Sequence, residues 1–141
     1  MKILFDINII LDVMLLRKQF LNSATQLLVE VENKNIEGYL SSSSITTIFY
    51  LIQKEKNTKL AHEKVSELLS IFDLSTIDKS IFISALNSQF TDFEDSVIHE
   101  SAYRQGIEGI VTRNTKDFKH SKIPIYDPNE LLSIFNTDKS E

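Results

Sequence analysis

Cysteine is absent from all 141 residues, so neither disulfides nor thiolate metal sites can hold this chain together. Its stability must come from a buried core, and a reducing cytoplasm is the expected compartment. Glycine and proline are scarce, at three and two residues, which leaves little room for flexible linkers. No internal repeat or low-complexity segment is visible, and the length suits one domain. No apolar run approaches the roughly 20 residues that cross a bilayer. The opening MKILFD meets a charged Asp after three apolar positions, too short for a secretory h-region. A basic excess is lacking too. The net charge is −5, whereas nucleic-acid binders usually gather Lys and Arg against phosphate. This counts against a sequence-reading DNA binder. A nuclease stays open, because its metal site is itself a cluster of acids and bound cations reverse the local field.

What is present is a hydrophobic fraction of 42%, enough for a packed interior rather than disorder. The periodicities alternate along the chain. KILF (2–5) reads as a short strand ending at Asp6, followed by helical patterns over 9–16 and 20–32. GYLS (38–41) reads as a second strand. The run SSSS (41–44) reads as a loop and helix cap, since serine oxygens satisfy free N–H groups at a helix start. A helix carrying Ile45, Ile48, Phe49 and Ile52 follows, then another over 59–72. A weak strand near 73–76 precedes helices at about 78–88 and 92–105. GIVT (109–112) and IPIY (123–126) are the last strands, and Pro128 opens a short final helix. Residues 1–136 are read as one domain and 137–141 as a frayed tail. Strands that alternate with helices imply parallel βαβ units, with helices on both faces of the sheet. Ligands of such sheets bind outside the carboxyl ends of the strands, so residues just after each strand carry the information.

Three acids occupy such places. Asp6 follows the first strand in FDINIILD, where helix capping is a competing explanation. Asp95 lies in TDFEDSV at the start of a helix, where the dipole favours acids. Three acids within four positions exceed what capping needs, however. On a helical wheel Glu94 falls among apolar positions and Asp95 at their edge, which implies a cation or hydrogen-bond partners. Asn114 and Asp117 lie in VTRNTKDF, just past GIVT. If Asp6, Asp95 and Asp117 converge, mutual repulsion raises their pKa values unless a divalent cation sits between them. An all-oxygen site suits Mg²⁺ or Mn²⁺ rather than Zn²⁺, and such an ion can polarise a phosphodiester and activate water.

The strings LFDINIILDVML, TDFEDSV, GIEGIVTRNTKDF and IPIYDPNELL, in that order, resemble a PIN domain. The resemblance spans nearly the whole chain, from Lys2 to about Phe135. It implies a three-layer α/β/α fold with four or five parallel strands and Mg²⁺- or Mn²⁺-dependent cleavage of RNA. Many small members resemble VapC-type toxins, which implies an antitoxin partner. Asp6 matches the family's first acid, Asp95 its third and Asp117 an acid of the last group. Asn114 stands where many members have Asp; its amide oxygen can ligate but brings no charge. Members usually carry an acid, most often Glu, where SITTIFYLI has Thr47. A hydroxyl is a poor substitute for a carboxylate on Mg²⁺, so the departure implies a weakened site, with Glu94 the acid left to supply the missing charge. The competing function is therefore a PIN-like binding module with little catalysis. A phospho-acceptor domain fits less well, because Asp73 precedes its strand and no suitable Lys follows GIVT.

Other residues are read more plainly. His62, His99 and His120 show no ligand spacing; His99 lies one turn after Asp95, but a partly exposed His is the commoner case. Asp12 is expected on a solvated face. Arg113 is open between an RNA phosphate contact and a surface ion pair. Lys116, Lys119, His120 and Lys122 form a basic edge beside the acids, with a solvated loop as the bland alternative. Phe49, Tyr50 and the apolar early helices suggest a symmetric homodimer.

Overall fold

The computed structural model describes residues 1–139. The chain opens with β1 (Lys2–Phe5), α1 (Ile7–Met14), α2 (Leu21–Glu32) and β2 (Glu37–Ser41). It continues through α3 (Ser44–Glu55), α4 (Thr58–Ile71), β3 (Asp73–Ser75), α5 (Lys79–Leu86) and α6 (Phe93–Arg104). It closes with β4 (Gly109–Val111), a 3₁₀ turn (Thr115–Phe118), β5 (Ile125–Tyr126) and α7 (Pro128–Lys139). The five strands form one parallel sheet in the order β3-β2-β1-β4-β5.

β1 shows why the sheet is covered on both faces. Side chains alternate across a strand. Ile3 and Phe5 enter a core built with α1, α2, α3, α4 and α7, while Leu4 enters a second core with Ile98 and Ala102 of α6. All three are essentially inaccessible, so KILF has no polar position between its ends. The three-layer α/β/α arrangement with a five-stranded sheet is thus the architecture expected from the sequence. Close packing is tightest at Gly38 of β2. A Cβ there would lie 2.7–2.9 Å from the Phe72 ring and the Val31 side chain. Phe72 in turn meets Phe5 edge-on at 5.2 Å.

Local details differ from the sequence reading. The serine run does not cap α3 through a side chain: Ser43 already has helical backbone angles, and its hydroxyl pairs with Ser41 at 2.8 Å. Glu94 is exposed rather than among apolar neighbours, as is Phe93, because the buried stretch of α6 begins only at Ser96. α7 has 12 residues and reaches Lys139, so 137–139 are helical; 140–141 of the expected tail lie outside the described residues.

Candidate active site

The strand order reverses direction at β1. From there the chain builds outward through β2 and β3, then crosses to β4 on the other side. Segments leaving β1 and β4 diverge, and a crevice opens between them at their carboxyl ends. Asp6 leaves β1 and Asn114 and Asp117 follow β4, so both sides of the crevice carry acids. α6 leads into β4, which brings its N-terminus and Asp95 to the same edge.

Asp6 is the N-cap of α1, so the capping explanation holds, but it does not exhaust the residue. One carboxylate oxygen accepts from the Ile7 N–H at 2.8 Å. The other accepts from the Thr112 hydroxyl at 2.8 Å. The side chain is only 9% exposed. Burial pushes its pKa up; the hydrogen bonds from Thr112 and Ile7 and the nearby Arg113 pull it down, and Asp117 pushes it up again.

Asp95 occupies the first turn of α6, where Asp92 caps the helix by accepting from the Asp95 N–H at 3.0 Å. The Asp95 carboxyl is half-buried and rises to about 7. Burial is the largest cause, followed by the repulsion of Asp92, Asp6, Asp117 and Glu94. A helix N-terminus normally favours an anion. Here that favour is outweighed, by burial first and by the neighbouring acids second. Asp117 is exposed on the 3₁₀ turn, its N–H bonded to the Asn114 carbonyl at 3.0 Å. Its field reaches both Asp6 and Asp95. Asp6, Asp95 and Asp117 therefore share one electrostatic neighbourhood. Among the described residues, no three acids or histidines stand close enough together to hold an ion jointly. Asn114 is exposed beside them.

The pattern of the PIN domain matches residues 2–116. This chain belongs to the PIN domain family. Ribonuclease VapC1 of Aquifex aeolicus is similar at 23% identity, covering 96% of each protein. The structure of VapBC2 from Rickettsia felis, bound to a DNA fragment from their promoter, superposes with a TM-score of 0.69 at 18% identity. That match covers 90% of this chain and 98% of the other. A toxin–antitoxin complex from Klebsiella pneumoniae gives a TM-score of 0.64 at 25% identity, over 89% and 96% of the two chains.

In this PIN domain two residues matter that the sequence pattern did not single out as site residues. Thr112 is fully buried one position past β4. Its hydroxyl donates to Asp6 and accepts from the Asn114 N–H at 3.0 Å, tying the two sides of the crevice together. The only signal was its place at the end of GIVT. Asp12, expected in solvent, is 0% exposed. Arg113 grips it through two nitrogens at 2.8 and 3.2 Å, Arg17 stands at 3.6 Å, and the Arg113 guanidinium stacks 3.9 Å over Phe20. Of the two readings of Arg113, the ion pair is the one formed, and it is partly buried rather than on the surface.

His99 is not partly exposed. It is 1% exposed, its Nε2 accepts from the Lys122 N–H at 3.0 Å, and burial lowers its pKa. His62 packs against Phe49 on the far helical pair α3 and α4. Neither joins the acids.

Proposed function

We propose that this PIN domain is a Mg²⁺- or Mn²⁺-dependent endoribonuclease and the toxin of a toxin–antitoxin pair, working in the cytoplasm. The observation that carries the chemistry is the half-buried Asp95 carboxyl, raised to about 7 by burial first and then by acids from three separate segments. A divalent cation among these carboxylates would relieve the repulsion. The donors fit such an ion: all are oxygens, and the nearby Arg113 is committed to Asp12. A bound ion would supply Lewis-acid activation of water and of the phosphodiester. Asp6, held by Thr112 and Ile7, would provide a fixed ligand; Asp95 and Asp117, with no side-chain hydrogen bonds among the described residues, would have to turn toward the ion. Asn114 would add a neutral oxygen. RNA as substrate and an antitoxin as partner rest on the relatives named as a ribonuclease and as toxin–antitoxin complexes. Among the described residues no helix is long and apolar enough to cross a membrane.

Calorimetric titration of Mn²⁺, with RNA cleavage assayed in the same buffer, tests this reading. The ion must displace the Asp95 proton, whose pKa is about 7 in the metal-free protein. Mn²⁺ affinity is therefore expected to rise from about pH 6 to about pH 8 and then level, with proton release near neutrality. Binding that is absent, or flat across that range, counts against the site. Metal binding without cleavage would favour the binding-module reading, in which Thr47 and Asn114 have cost the domain its catalysis.

We also propose a symmetric homodimer. Tyr50 is 55% exposed, and on α5 and the start of α6 the exposed Phe82 and Phe93 rings stack 6.3 Å apart. Sedimentation at micromolar concentration should show a dimer; monomer alone would refute it.

A further inference from the structure

A cavity of about 580 Å³ lies between α5, α6 and the segment joining the 3₁₀ turn to β5. We propose that it is a subsite for one nucleobase of the RNA strand, flanking the phosphate held at the acids. The assignment rests on the ribonuclease reading for its substrate, and on four features of its own.

The first is continuity with the acids. α6 carries Asp95 and, one turn further, the cavity-lining His99. The turn that carries Asp117 runs on to His120 and Lys122, which line the opposite side. The Lys122 N–H bonded to His99 joins these two walls. An RNA strand crossing the acids is thus led into the cavity by the same two elements.

The second feature is aromatic. Phe90 lies 4.8 Å from the His99 ring at a 30° tilt and 6.5 Å from His120, and its edge contacts Phe118 at 5.9 Å. His120 is exposed and half-buried Phe90 backs it, so a planar ligand finds a stacking surface. Base stacking on such rings is how proteins hold single-stranded nucleic acid.

The third is charge. The chain is acidic overall, yet Lys116, Lys119 and Lys122 are all exposed within seven positions. Lys122 is steadied over the Tyr103 ring at 4.8 Å. This is the place in the acidic crevice's surroundings where phosphates find counter-charge.

The fourth is polar. Because Nε2 of His99 accepts a hydrogen bond, its proton resides on Nδ1, and that buried atom has no partner. The Glu100 carboxylate, only 7% exposed, stands 3.7 Å away, beyond hydrogen-bonding reach. That nitrogen has essentially no accessible surface, so the groups left to read a base edge are the exposed Asn87 and Gln89 side chains on the rim.

The test uses the whole chain without divalent metal and the four 5′-nucleoside monophosphates as probes. Histidine ring resonances are followed by NMR, with His62 as the distant internal control. At least one nucleotide should shift His120 and His99 saturably and leave His62 unmoved. Combining His120→Ala with Lys122→Ala, both exposed and so tolerated by the fold, should weaken that binding about tenfold. For RNA cleavage with Mn²⁺ the same variant should raise KM by a similar factor, more than it lowers kcat. No response at His120, equal shifts at His62, or a response to polyglutamate but not to nucleotides would overturn the subsite. Nucleotide binding needs neither metal nor cleavage. A chain that binds nucleotides here but cuts no RNA supports the subsite and refutes the ribonuclease; one that cuts RNA without a response at His120 refutes the subsite alone.

Discussion

Asp95→Asn is expected to lower RNA cleavage by about a hundredfold or more and to make the metal-free protein more stable above neutral pH. The loss follows from removing a charged ligand where the ion must stabilise transition-state charge. The gain follows from the raised carboxyl. Its folded pKa is about 7, above the ordinary carboxylate value. Below the unfolded pKa both states hold the proton and nothing is lost. As pH rises from the unfolded value to the folded one, the unfolded chain releases this proton while the native state keeps it, because burial and then the repulsion of Asp92, Asp6, Asp117 and Glu94 oppose ionisation; stability falls across that window and levels above it. Asn never ionises, so urea denaturation should separate parent and variant at about pH 8 and bring them closer at about pH 5. Opposite signs for activity and stability would identify a functional carboxylate rather than a cap. Equal cleavage by folded Asp95→Asn refutes the metal site. The converse change, Thr47→Glu on α3, should strengthen Mn²⁺ binding and raise cleavage. If it alone fails, only the alignment at that position is wrong.

Removing Arg113 should be the most damaging single change to the fold near the crevice. Arg113→Ala leaves the fully buried Asp12 with no bidentate partner and only Arg17 at 3.6 Å. Stranding a buried charge costs about 3–5 kcal/mol. Arg113→Lys should recover little, since an ammonium reproduces neither the two-pronged grip nor the stacking on Phe20. Adding Asp12→Asn to Arg113→Ala should restore part of the loss, because the stranded charge is gone. Denaturant midpoints for the three variants provide the measurement. A cost under about 1 kcal/mol for Arg113→Ala would place the pair among ordinary surface bridges.

Most of the secondary structure was legible in the sequence because it depends on neighbours a few residues apart. KILF alternates faces and has no polar interior, so it could only be a strand buried on both sides. The strand–helix alternation fixed parallel pairing, since a parallel crossover needs an intervening element. The positions of Asp6, Asp95 and Asp117 just past strands or at a helix start followed from the same local signals. The serine run shows the limit of such signals: a residue type suited to capping found a hydroxyl partner instead.

What only the tertiary structure decided is which distant groups meet. The strand order, which opens the crevice between β1 and β4, is a choice among non-local pairings that no short window encodes. Thr112 meets Asp6 across 106 positions of sequence, and Arg113 meets Asp12 across 101. Asp12 looked like a solvated acid because its closest cation, Arg113, is supplied only after the sheet has formed; the local Arg17 stands farther off at 3.6 Å. His99 looked partly exposed for the same reason, since its acceptor nitrogen is satisfied by the backbone of Lys122. A buried polar group is tolerable only when its partner arrives, so its environment becomes defined with the fold and not before it.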